Sequence, residues 1–295
     1  MIHVLILAGG LGTRLRPLSL SIPKPLVPVV DMSILAHQLR FVDSVSHKDL
    51  HINAFYMASL LKAEAQRLNI PNVWVETPKI LGTAGPLYRL FKAGIEGDLL
   101  VMNSDCYHQM DMHSFVRNAK NSSAPISLLG VDRPEINTLQ VKSSLLSGVQ
   151  GVFGEPSMEK LTFSGIAFYK NSVLNQILEE DFSIVSFWKR FIQEGGEIAV
   201  DQTQKNAIWI DMGTPKGFMQ ANLARLKEMK LNHWIDKKHP LYPKENDFDQ
   251  SIVHLDTQIA EGAKLKNVVL LKGAQVLEGE YVENQIRGEN FFWEV

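Results

Sequence analysis

Two short segments near the start of this chain hold residue types suited to chemistry on phosphate groups. Gly9, Gly10 and Gly12 close an apolar run, where backbone amides can converge on an anion with no Cβ in the way. Thr13 adds a hydroxyl, and Arg14 adds a planar fork suited to a pair of phosphate oxygens. Lys24 follows within Pro23-Lys24-Pro25. Prolines on both sides are expected to hold Ile22 and Lys24 extended, so that only the lysine side chain is free to carry its charge to a phosphoryl group. Arg16 carries no assigned role in this pattern beyond solvating the loop. No Gly-Lys-Ser/Thr follows, which excludes a Walker loop, and Leu15 stands where a dinucleotide fingerprint needs its third glycine.

The elements that must position these residues alternate in type. "IHVLILA" reads as a buried parallel strand, "MSILAHQLRFVDSV" as an amphipathic helix, "DLHINAF" as a strand and "MASLLKAEAQRL" as a helix. "NVWVE", the helix "AGPLYRLFKAG" ended by Gly94, and the strand "DLLVMNSD" continue the rhythm. This argues for an α/β layer structure with a mostly parallel sheet. From about residue 124, "APISLLGV", "TLQVKS", "VQGVFGE" and "LTFSGIAFY" predict short strands forming a lid or second wall over that sheet. Helices are expected in "NSVLNQILEE" and "VSFWKRFIQEG", a strand in "NAIWID", and a last helix in "TPKGFMQANLARLKEMK" with Pro215 in its first turn.

Residues 231–250 lack periodicity and read as a linker between a domain over 1–230 and a tail over 251–295. In the tail, Val253, Ile259, Leu265, Leu271 and Leu277 recur every sixth residue, the spacing of a β-helix coil with one inward apolar residue per short strand. Fewer than two full coils would form, so the segment is expected to lean on the first domain or on another subunit, making a homo-oligomer. A β-hairpin tail is the alternative.

The chain has 295 residues, 45% of them apolar, and a formal charge of −2, which gives no sign of a nucleic-acid surface. One cysteine, Cys106, rules out an internal disulfide and fits a reducing compartment. The N-terminal apolar run is too short for a signal or membrane segment, so a cytoplasmic protein without membrane contact is expected. His108 and His113 lack paired metal-ligand spacing and read as surface or capping residues.

The run "LAGGLGTRLRPLSLSIPKPLVPV" resembles the signature of the sugar-1-phosphate nucleotidyltransferases, also called nucleoside-diphosphate-sugar pyrophosphorylases. "ETPKILGTAGPL", "VMNSD", "FSGIAFY" and "WIDMGTPKGF" are similar to further segments of that family, in its order, over roughly residues 1–225. The resemblance implies an α/β fold with a Rossmann-like, mostly parallel mixed sheet flanked by helices, and a short C-terminal left-handed β-helix segment as in several branches. It implies that a sugar 1-phosphate attacks the α-phosphate of a nucleoside triphosphate and releases pyrophosphate. Leu7, Ala8, Gly9, Gly10, Gly12 and Thr13 would then hold the nucleotide, and Gly82 and Thr83 its base or ribose. Arg14 and Lys24 would be catalytic, Lys24 bridging the two phosphates. Asp105 and Asp211, each ending an apolar strand, would be Mg²⁺ ligands. Gly165 and Glu155 would meet the sugar. The lysine that relatives carry beside that acidic residue is absent from "GEPS", with Lys160 the nearest alternative.

"LGTAGPL" and "NSD" look most like the mannose-1-phosphate guanylyltransferase branch, which makes GTP and mannose 1-phosphate the first-choice substrates. "LTFSGI" resembles uridylyltransferases acting on N-acetylmuramic acid 1-phosphate, a branch without such a tail. Relatives of this fold also serve as non-catalytic nucleotide-sensing or scaffold subunits. Those tend to lose the arginine, lysine or aspartates that stand here at Arg14, Lys24, Asp105 and Asp211. A nucleotide-sugar-dependent glycosyltransferase would need a D-x-D pair, which is not evident near Asp105.

Overall fold

A computed structural model of the chain describes residues 1–242 and 247–295. Its contacts divide it into two compact units, one of residues 1–11 and 35–209 and the other of residues 12–34 and 210–295. The division differs from the expected boundaries at 230 and 250. It also passes between Leu11 and Gly12, inside the glycine-rich stretch.

The first unit is built on β1 (Ile2–Leu7), β2 (Asp49–Ala54), β3 (Asn72–Val75) and β4 (Asp98–Asn103). β1 lies between β2 and β4, and β3 adds beyond β2, all parallel. Val4, Leu5 and Ile6 are buried, as a strand covered on both faces requires. The connecting helices are α1 (Ile34–Val42), α2 (Ala58–Arg67) and α3 (Gly85–Lys92). α4 (Met112–Asn121), which the sequence reading passed over, starts where Asp111 accepts from the Ser114 amide.

The expected lid does not form. β5 (Ile126–Val131), β6 (Leu139–Lys142), β7 (Leu145–Val149), β8 (Glu159–Tyr169) and β9 (Ile198–Asp201) extend the same sheet, in the order β3-β2-β1-β4-β8-β5-β9-β7-β6. β8 runs antiparallel to both β4 and β5, so the sheet is mixed. The physical reason lies in its composition: β8 is buried from Leu161 to Tyr169 apart from Phe163, so it needs neighbours on both edges. Of "VQGVFGE" only Val149 belongs to a strand, as the end of β7; the residues after it turn, with Val149 and Phe153 hydrogen-bonded to each other. The segment "NSVLNQILEE" holds only the short α5 (Asn171–Leu174), whereas α6 (Ile184–Gln193) buries Phe187, Trp188 and Phe191.

Strand β10 (Trp209–Asp211) crosses the division and leads to α7 (Pro215–Glu228), which Thr214 caps through the Gly217 amide. Within the second unit, residues 12–34 are fastened to α7. Arg225 grips Asp31 in a two-bond fork at 2.9 and 3.0 Å, and Asn222 accepts from the Val30 amide.

After α7 come β11 (Trp234–Ile235), β12 (Phe248–Asp249), β13 (Ile252–Val253), β14 (Gln258–Ile259), β15 (Lys264–Leu270), β16 (Gln275–Val276) and β17 (Tyr281–Gly288). β11 pairs in parallel with β13, so the segment expected to be a linker already carries a strand of the tail. The rest of that expected linker includes residues 243–246, which lie outside the described residues. Further along, parallel partners stand seventeen residues apart, as in Ile252 with Val269, Gln258 with Gln275 and Leu265 with Val282. Three hexapeptides would make eighteen, so the inward position slips by one. Val276 is buried and Leu277, expected inward, is 69% exposed. A last strand, β18 (Phe291–Glu294), folds back antiparallel on β17.

Candidate functional site

The second unit gathers two cations of the glycine-rich stretch, Arg14 and Lys24, around one carboxylate. Gly12 adopts a left-handed conformation and opens a 3-10 turn over Thr13–Leu15, with its carbonyl accepting from the Ser19 hydroxyl. That turn presents Arg14, whose side chain is 62% exposed, to Asp211 at 3.4 Å. Lys24 reaches the same carboxylate at 3.9 Å from a buried position. The Gly213 amide donates to Asp211 Oδ1 at 2.7 Å and fixes its rotamer. Lys24 is not extended as its prolines led us to expect. It opens a 3-10 turn over Lys24–Leu26, closed by the Leu26 amide on the Pro23 carbonyl, and Pro23 before it is extended. Arg16 is exposed, at the far end of the Arg14 turn.

The first unit holds the remaining predicted residues in separate places. Leu7 ends β1, and its carbonyl accepts from both the amide and hydroxyl of Ser104. Ala8 and Gly9 are buried, and Gly10 is exposed. Asp105 is half-buried just past β4, and the Cys106 thiol points to the Ser164 carbonyl at 3.4 Å. Gly82 (φ +73°) packs so tightly that a Cβ would stand 2.1 Å from the Phe182 carbonyl oxygen. The Thr83 amide donates to that same oxygen, and its hydroxyl accepts from the Ile184 amide at the start of α6. The Thr83 side chain thus has a structural duty that motif reading missed. Gly165 (φ +81°) sits in the β-bulge of β8 against Asn103, where a Cβ would approach within 2.8 Å. Glu155 and Lys160 are exposed, and Lys160 reaches Gln150.

Histidines are more buried than the sequence reading allowed, although His113 is exposed. His108 is in the core, where it bonds to Gln38 Oε1, and burial with His37 nearby pushes its pKa down to about 3. Among the described residues, His3, Asp49 and His51 bring their ligand atoms within 4.8 Å of one another, a grouping that linear spacing cannot reveal. Hydrogen bonding already accounts for these nitrogens. Trp74 Nε1 can only donate, so His51 Nδ1 accepts and its proton sits on Nε2, facing His3 Nδ1 at 3.5 Å. His3 Nε2 in turn donates to the Glu96 carbonyl. Burial, with His3 adjacent, lowers the His51 pKa to about 4.

Comparison with known proteins adds a consistent set of likenesses. A family model described as nucleotidyl transferase matches residues 3–228. The catalytic subunit beta of mannose-1-phosphate guanylyltransferase from Xenopus tropicalis is 29% identical over 245 residues, covering 78% of this chain and 67% of that protein. Its counterpart from Drosophila melanogaster is 28% identical over 315 residues, covering 97% and 83%. The crystal structure of HddC from Yersinia pseudotuberculosis complexed with GMP-PN matches with a TM-score of 0.62 at 22% identity. It covers 76% of this chain and all of that one, and shares its α/β fold.

Proposed function

The chain belongs to the nucleotidyl transferase family, and we propose that it moves a guanylyl group from GTP to mannose 1-phosphate, releasing pyrophosphate. The names of the Xenopus and Drosophila relatives support this choice of substrates. The observation that carries the mechanism is Asp211 held between Arg14 and Lys24.

A phosphate oxygen of the sugar attacks the α-phosphorus, and the bond to the β-phosphate breaks. Both reactants are anions, so charge neutralisation and alignment dominate the barrier. Arg14, exposed and forked, takes phosphate oxygens of the triphosphate. Lys24 puts a point charge between the two anions, and its burial keeps that charge poorly screened. Asp211 orients Lys24 before substrate arrives. The amides of Gly9, Gly10 and Gly12 with Thr13 serve the triphosphate, after Leu7 and Ala8 have led the chain out of the sheet. Gly82 and Thr83 serve the nucleoside through their carbonyls, since the Thr83 amide is held by Phe182 and its hydroxyl is engaged at α6. Gly165 and Glu155 serve the sugar.

Asp105 in the first unit and Asp211 in the second are each proposed as a ligand of Mg²⁺. Hard carboxylate oxygens suit that ion, and the Asp211 contacts to Arg14 and Lys24 are long enough to leave lone pairs available. When bound, the ion would neutralise triphosphate charge. The tail is read as a short left-handed β-helix, supported by its seventeen-residue parallel offset. Exposed Tyr281 and Phe292 suggest self-association there, which a monomer in light scattering would disprove. Among the described residues no helix is long and apolar enough to cross a membrane. With a buried lone cysteine, a cytoplasmic setting is part of the proposal.

The test is pyrophosphate release by purified protein with Mg²⁺ and a panel of triphosphates and sugar 1-phosphates. GTP with mannose 1-phosphate should give the highest kcat/KM. A higher value for UTP with an N-acetylmuramic acid 1-phosphate-like sugar would replace the substrate assignment, and no release with any pair would overturn the reading.

A further inference from the structure

Two polar residues given no role by the sequence reading, Asn53 on β2 and Glu76 just after β3 at the head of "ETPKILGTAGPL", are each 3% exposed. Asn53 Oδ1 accepts from the Ala8 amide at 2.7 Å, and Asn53 Nδ2 donates to Glu76 Oε1 at 2.7 Å. Glu76 Oε2 accepts from the Leu81 amide at 2.8 Å. Gly9 lies directly over this pair, because a Cβ there would stand 2.8 Å from Asn53 Nδ2 and 3.5 Å from Glu76 Oε2. A buried carboxylate is costly unless donors surround it, and here both oxygens are supplied. The two amides engaged are the ones that lead into Gly9-Gly10 and into Gly82-Thr83.

We infer that Asn53 and Glu76 are positioning residues that lock the Ala8–Gly9 loop to the Leu81–Gly82 loop, so that the two move as one nucleotide-recognising platform. The functional half of this inference rests on the nucleotidyl-transfer reading; the mechanical half does not. The bond chain has a polarity. An amide side chain both donates and accepts, whereas a carboxylate only accepts. Asn53→Asp therefore sets two carboxylates face to face, and Glu76→Gln sets two NH₂ groups face to face. The double variant Asn53→Asp/Glu76→Gln restores all three bonds with the middle one reversed.

The experiment measures kcat and KM for the triphosphate, thermal unfolding, and hydrogen exchange at the Ala8 and Leu81 amides in wild type, both single variants and the double. Each single should raise KM about tenfold or more with a smaller change in kcat, and should speed exchange at both amides. The double should return KM to within about threefold of wild type and restore protection. A double that fails to recover, or unchanged exchange at Leu81 in Asn53→Asp, overturns the inference. If the singles do not fold, a folded double supports it and an unfolded double overturns it. If wild type releases no pyrophosphate with any pair, the functional reading falls and the exchange data alone decide the lock.

Discussion

At the scale of single residues, Arg14 and Lys24 meet the same carboxylate under different conditions. The Arg14 side chain is 62% exposed, and an ion pair so open to water contributes little to stability. Arg14→Ala should therefore leave the unfolding temperature nearly unchanged while lowering turnover. Lys24 is buried, and its ammonium faces Asp211 across 3.9 Å. Lys24→Ala should lower kcat by about 10²- to 10³-fold, the scale at which removal of one electrostatic partner of a transition state is felt. Steady-state kinetics beside thermal unfolding separate the two effects. A Lys24→Ala enzyme with near-normal kcat would remove that residue from the chemistry. The motif was enough to single out both cations. Their shared partner was not visible as such, because Arg14 and Asp211 are separated by 197 positions.

Among the elements, the tail shows how a correct period can still misplace side chains. Apolar residues at every sixth position indicated short stacked strands, and parallel strands are there. From β12 onward each turn of the chain is one residue shorter than three hexapeptides, so the buried position moves from Leu277 to Val276. Val276→Ala should cost about 1–3 kcal/mol through lost burial and a residual cavity. Leu277→Ser should stay within about 0.5 kcal/mol of wild type, as exposed substitutions do. Urea unfolding of the two variants checks the register, and the opposite ranking would reinstate the sixth-residue pattern. In the sheet, strand existence was largely legible from apolar runs, but strand order was not. Nothing local distinguishes a strand that starts a lid from one such as β8 that inserts beside β4.

Across the whole molecule, acid should be the main enemy of stability. His51 and His108 in the first unit and His254 in the second are buried and neutral, with pKa values lowered by desolvation to about 4, 3 and 4. In the unfolded chain each returns to about 6.5, so below that pH the unfolded state binds protons that the folded state refuses. Stability is thus full above about pH 6.5 and falls as pH drops toward the folded pKa values. Each histidine should cost about 1.4 kcal/mol by pH 5.5. Urea midpoints at pH 7 and pH 5.5 should differ accordingly, and His108→Gln should flatten the slope. Equal midpoints would disprove it. By itself the sequence determined the reaction class, through contiguous motifs such as the glycine-rich stretch with Pro23-Lys24-Pro25 that resemble those of the nucleotidyl transferase family. The tertiary structure decided which of these share a partner, that the glycine-rich stretch divides between two units at Gly12, and that Asn53 and Glu76 join two loops. Those outcomes depend on strand order and on contacts between distant positions, and a short stretch of chain encodes neither.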